Sequence, residues 1–152
     1  MKKIITFLFI SLAITFLITG CGNGEEETFV PASEESTQSA IEFVNQYKQE
    51  MVFQVNEGNF SELEHFLIPN STFYHLIRRH VNDLQQERST LTLIEHTVSD
   101  VLDNEQGILL AHVFEVTEKT DRRGEKTTEE MNIVYELVEH NESFKILSIM
   151  KR

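Results

Sequence analysis

The sequence predicts an α+β domain in which three N-terminal helices pack on one face of a four-stranded antiparallel sheet. Two observations carry this. Between residues 36 and 88, apolar side chains recur at three- and four-residue spacing, the period of a helix with one buried side. From Thr90 onward, β-branched and apolar residues dominate in runs separated by short breaks carrying Asn, Asp and Gly. Helices first and strands second is the order that a helical layer on an antiparallel sheet produces.

The chain opens with Met1, Lys2 and Lys3, and Ile4 to Ile18 then form an apolar run broken only by Thr6, Ser11 and Thr15. A positive start followed by such a run is the layout of an export leader. As a helix it would reach about 22 Å, short of the roughly 30 Å hydrocarbon core, and no basic stop-transfer cluster follows, which disfavours a permanent span. Ile18, Thr19, Gly20 and Cys21 resemble the lipobox of bacterial lipoproteins. That resemblance implies a signal peptide over residues 1–20, cleavage between Gly20 and Cys21, and a diacylglyceryl group on the Cys21 thiol as the membrane anchor. Cys21 is the only cysteine, so the exported chain has no thiol left for stray disulfide chemistry. The expected location is the outer face of the cytoplasmic membrane.

Residues 21–35 read as the lipidated cysteine and a flexible acidic tether, GNGEEETFVPASEE, with almost no apolar periodicity. Its reach is about 20 Å by the flexible-chain estimate. The formal charge is −12 for the whole chain and −14 once Lys2 and Lys3 leave with the leader. An acidic chain without clustered Lys and Arg is a poor partner for nucleic acid or polyphosphate, so membrane contact has to come from the lipid.

Residues 36–152 form one domain. Ala40, Ile41, Phe43, Val44, Tyr47, Met51, Val52 and Val55 share one side of a long first helix, which Gly58 is expected to end in a left-handed cap. Asn59 or Ser61 caps a short second helix with Phe60, Leu63, Phe66 and Leu67 inside. After Pro69, Asn70 or Ser71 opens a third helix whose stripe is Phe73, Leu76, Ile77, His80, Val81 and Leu84. Four strands follow: Thr90 to Val101, Ile108 to Thr120, Thr127 to Glu139 and Ser143 to Met150, with Gly107 and Gly124 in hairpin turns. The expected inner face is Ile108, Leu110, His112, Phe114 and Val116 with Met131, Ile133, Tyr135 and Leu137, then Phe144, Ile146 and Met150. The outer face is expected to show Val113, Val134, Val138 and Leu147.

This order, with the segment NEGNFSELEHFLIPNSTFYHLIRRHVNDL, resembles the nuclear transport factor 2-like superfamily and, within it, the C-terminal extracellular domain of TcaA-type cell-envelope proteins of Gram-positive bacteria. The resemblance spans most of residues 37–150 and implies a cone-shaped α+β roll with a bent sheet. TcaA-type proteins carry a zinc-binding segment, a membrane span and further extracellular domains, in place of which a lipobox and one domain are read here. No functional residue carries over.

Relatives of this fold use the space between sheet and helices as a pocket, some as isomerase- or cyclase-like enzymes. Such an isomerase needs a carboxylate base aimed into an apolar cavity. The expected inner faces hold no Asp or Glu. Their polar groups are Tyr47, His80, His112 and Tyr135, the candidate ligand-pocket residues. The six histidines show no metal-ligand spacing, and no phosphate loop, dinucleotide motif or nucleophile elbow is present, so no metal and no cofactor is expected. The sequence thus favours a non-catalytic binding or interaction module in the cell envelope, with an unidentified envelope component or protein as partner. A pocket enzyme and a scaffolding or homodimerising subunit are the alternatives.

Overall fold

The computed structural model describes residues 28–152. The expected leader, Cys21 and the first part of the tether lie outside the described residues. Strand β1 is Val30–Pro31, helix α1 is Glu34–Asn56, a 3₁₀ helix covers Phe60–Phe66 and helix α2 is Thr72–Gln86. Strands β2 (Thr90–Asp103), β3 (Ile108–Thr120), β4 (Lys126–His140) and β5 (Ser143–Lys151) follow. The sheet therefore has five strands, not four, in the order β1-β2-β3-β4-β5, and every neighbouring pair is antiparallel. The extra strand falls in the expected tether: Val30 pairs with Asp103, Pro31 with Leu102, and the Ala32 N–H donates to the Val101 carbonyl at 3.0 Å. Pro31 has no N–H to give, which an edge position tolerates.

Helix α1 begins where Ser33 Oγ accepts the Ser36 N–H at 3.1 Å, with Glu34 and Glu35 in the first turn facing the positive end of the helix dipole. Its buried side is Ala40, Phe43, Val44, Tyr47, Met51 and Val55, together with two polar residues, Lys48 and Gln54. Gly58 does not take the expected left-handed conformation; the glycines with positive φ among the described residues are Gly107 and Gly124. Its role is close approach. A Cβ at Gly58 would sit 1.6 Å from Gln54 Oε1, the oxygen that accepts the Asn59 N–H at 2.7 Å.

Asn59 caps the 3₁₀ helix, and Ser71 caps α2 by accepting the Tyr74 N–H at 3.0 Å. The inner residues Phe60, Leu63, Phe66 and Leu67 are all buried. Helix α2 is rotated from the expected phase. It buries Tyr74, Ile77, Val81 and Leu84, while Leu76 is 56% exposed and His80 lies on the solvent side. Tyr74 fixes that phase: its ring meets Phe60 edge-on at 5.0 Å and its hydroxyl donates to Glu64 at 2.7 Å.

The hairpins are set by side-chain acceptors. Asn104 Oδ1 takes the N–H groups of Gln106 and Ile108 at 2.9 and 3.0 Å, and Asp121 Oδ1 takes those of Arg123 and Glu125 at 2.8 and 2.9 Å. Asn141 and Glu142, with φ of 48° and 62°, make the two-residue turn between β4 and β5. Register shifts at Leu93/Glu95, Val98/Asp100 and Glu136/Leu137 bend the sheet around α1.

Across β3 and β4 the register is Leu109 to Leu137, Ala111 to Tyr135 and Val113 to Ile133. The inner face of β3 is therefore Leu109, Ala111, Val113 and Glu115, one residue out of step with the expected Ile108, Leu110, His112, Phe114 and Val116. Strand β3 is apolar at both parities, so alternation alone does not choose. The closed Asp121–Glu125 turn does, because directly paired residues must share a face. The same shift moves Val113 inside, while Val134 and Val138 keep to the outer face, paired with His112 and Ile108.

Candidate functional site

The four candidate residues do not form one site. Tyr47 on α1 and Tyr135 on β4 do meet: their rings are 6.0 Å apart, edge to face, and both are buried to within 2%. His80 is on the exposed side of α2. His112 lies across the sheet from the tyrosines, on its outer face, because β3 is shifted by one residue.

Beside the tyrosines the interior holds a cluster that sequence reasoning missed. Glu115, expected nowhere inside, is 1% exposed, and Lys48 Nζ donates to its Oε1 at 2.6 Å. A buried carboxylate is tolerable only with such a partner. His96 of β2, paired across from Glu115, places Nε2 3.7 Å from Glu115 Oε2. Its Nδ1 is 2.8 Å from Asn45 Oδ1 and, facing an oxygen, carries the proton. Among the described residues, His96 Nε2 and Glu115 Oε2 are buried without a hydrogen-bond partner. Burial first, and then the Lys48 charge, hold the His96 pKa down at about 4, so the ring is neutral at neutral pH. Burial first, and then charged or ionisable neighbours, push the Tyr47 and Tyr135 hydroxyls above their ordinary range. The tyrosines therefore stay protonated.

On the outer face, Asp100 Oδ2 lies 2.8 Å from His112 Nδ1, and Ser99 Oγ donates to Asp100 Oδ1 at 2.8 Å. Partial burial works to raise the Asp100 carboxyl, but the bonds from Ser99 and His112, with the charges of His112 and Arg152, outweigh it and hold the group below the usual carboxylate range. A cavity of about 260 Å³ opens here, lined by Ser99, His112, Phe114, Asn132, Ile133 and Arg152 among others. A larger cavity of about 490 Å³ lies far from both clusters, between the first turn of α1 and the β4–β5 turn. Its charged walls are Glu35, Glu139 and Glu142, open to water and ordinarily solvated.

The signal that could have found Glu115 is the turn. Counting back from Asp121–Glu125 puts Glu115 on the same face as Ala111 and its partner Tyr135. Lys48 follows Tyr47 on the buried side of α1, where a long stem crosses apolar surface to bring its charge to a partner. No helix among the described residues is long and apolar enough to cross a membrane, and no group of three or more His, Cys, Asp or Glu among them is placed to hold a metal ion.

The family model described as the TcaA protein NTF2-like domain matches residues 36–150. An uncharacterised protein of Alkalihalophilus pseudofirmus is 34% identical over 137 residues, covering 90% of this chain and 88% of that protein. Among solved structures, the intermembrane space region of the chloroplast protein ARC6 is similar, with a TM-score of 0.63 and 12% identity over 75% of this chain and 94% of that one. Aln2 from a Streptomyces species is similar at a TM-score of 0.56 and 12% identity over 81% of this chain and 93% of its own. A putative calcium/calmodulin dependent protein kinase II association domain from Xanthomonas campestris follows at 0.53 and 14% identity, over 83% and 94%. At such identities these structures establish the fold alone.

Proposed function

Given that this chain belongs to the TcaA protein NTF2-like domain family through residues 36–150, we propose that it is a lipid-anchored, non-catalytic binding module of the cell envelope. The observation that carries the non-catalytic reading is the state of the interior. An isomerase-type site needs a carboxylate base aimed at substrate in a cavity with donors for the developing enolate. Here Glu115 is bound at 2.6 Å by Lys48 and is itself 1% exposed, near Tyr47 and Tyr135, which are buried to within 2%. The interior charge serves an ion pair, and the binding surface belongs on the outside of the roll. The anchor rests on the Ile4–Ile18 run and the Ile18-Thr19-Gly20-Cys21 sequence. The family's envelope association, implied by the TcaA resemblance, agrees with it.

One observation favours the alternative of a pocket enzyme: Glu115 Oε2 and His96 Nε2 face each other 3.7 Å apart with no hydrogen-bond partner. The two readings separate by assay. The full chain is expected to show no turnover of enolisable ketones or lactones above the buffer rate. Turnover abolished by Glu115→Gln would establish the enzyme in its place.

A further inference from the structure

The outer-face cavity has the chemistry of a selective recognition site, and each wall constrains the ligand. Asp100 faces His112 Nδ1 at 2.8 Å, so that nitrogen carries a proton, and Nε2, whenever it is unprotonated, is an acceptor. Ser99 Oγ, at 2.8 Å from Asp100 Oδ1, holds the carboxylate in place from its other side. The His112 side chain is 15% exposed, which fixes the ring against the sheet while leaving a polar edge accessible. Arg152 lines the same cavity and is held there by its own backbone, whose N–H donates to the Asn132 carbonyl at 2.9 Å. Phe114 supplies an apolar wall, and Asn132 an amide.

Charge then selects the ligand. Asp100 and Arg152 nearly cancel, and the chain carries a net charge of −12, so a polyanion meets one guanidinium and a repelling field. A single carboxylate matches one guanidinium in number and geometry. His112 Nε2, whenever it is unprotonated, accepts an N–H or O–H. The volume of about 260 Å³ suits a group the size of one amino acid.

We propose that this cavity binds a monocarboxylate carrying an adjacent hydrogen-bond donor and a small apolar group, with Arg152 taking the carboxylate and His112 Nε2 the donor. This rests on the reading of the domain as a binding module and names the ligand class.

The test is a titration of the full chain in detergent with N-acetylalanine, followed by NMR of the His112 ring and the Asn132 amide. N-acetylalaninamide, which lacks the carboxylate, and acetate, which lacks the donor, are the controls. Saturable shifts with N-acetylalanine, at least tenfold weaker binding of both controls, and at least tenfold loss in Arg152→Gln are expected. Arg152 is exposed, so the variant should melt as the parent does. No saturable shift, equal binding of the amide, or unchanged affinity in Arg152→Gln overturns the assignment. Ketone turnover alongside intact N-acetylalanine binding would sink the non-catalytic reading and leave this site standing.

Discussion

Lys48 and Glu115 form an ion pair whose value lies in what breaking it costs. Lys48→Met leaves a carboxylate buried with no cation and is expected to destabilise the domain by about 3 to 5 kcal/mol, whereas Lys48→Met with Glu115→Leu should recover most of that loss. Equilibrium urea denaturation measures both, and a double variant as unstable as the single one would show that the stranded charge is not the cause. His96 beside them gives a pH signature. Its folded pKa of about 4 lies below the ordinary 6.5, so the unfolded chain takes up a proton first as pH falls. The stability contributed by the neutral ring is complete above about pH 6.5 and is lost as pH drops towards 4. The loss expected is roughly 2 to 3 kcal/mol between pH 7 and pH 4, with Lys48 opposing and Glu115 favouring the protonated ring. His96→Gln should flatten that limb of the stability curve; an identical slope in parent and variant would count against the assignment. Neither effect was legible in the sequence, because a glutamate amid apolar residues reads as a solvent-facing position until register decides otherwise.

At the scale of elements, helices were easier to place than faces. The caps at Asn59 and Ser71 act where Asn and Ser precede an apolar-periodic run, since these side chains accept the free N–H groups of a first turn. The phase of α2 was not legible, because its apolar stripe is wider than its contact. Phe73, Leu76 and His80 compete with Tyr74 for the inner side, and Tyr74 prevails through Glu64 and Phe60. The phase has a measurable consequence. Ile77→Ala, at a site 6% exposed, should cost about 2 to 5 kcal/mol, and His80→Ala should stay within about 0.5 kcal/mol of the parent. A larger loss at His80 than at Ile77 by urea denaturation would restore the expected phase. Strand β1 was hidden for a different reason. Two residues, one of them proline, show no alternation, and Val30–Pro31 is a strand only because β2 offers its edge at Leu102 and Asp103.

For the whole molecule, the proposed anchor and the folded roll are separate in sequence, with Gly22 to Phe29 between Cys21 and the first residues of the sheet and helical layers. Cys21→Ala should therefore release the protein from the membrane fraction or abolish fatty-acid labelling without changing its melting temperature. Equal labelling of parent and variant would remove the anchor. The sequence by itself determined the α+β class, the helix-then-strand order, the hairpin turns at Gly107 and Gly124 and the acidic charge, all of which follow from local periodicity and turn chemistry. Tertiary structure alone decided which side of β3 and of α2 faces in, and with that the fate of His80 and His112 among the candidate pocket residues. A strand apolar on both sides, or a helix with too broad a stripe, takes its phase from its partners. One residue of register carried Glu115 into the core beside Lys48 and His96, and carried His112 out to Asp100 and Arg152.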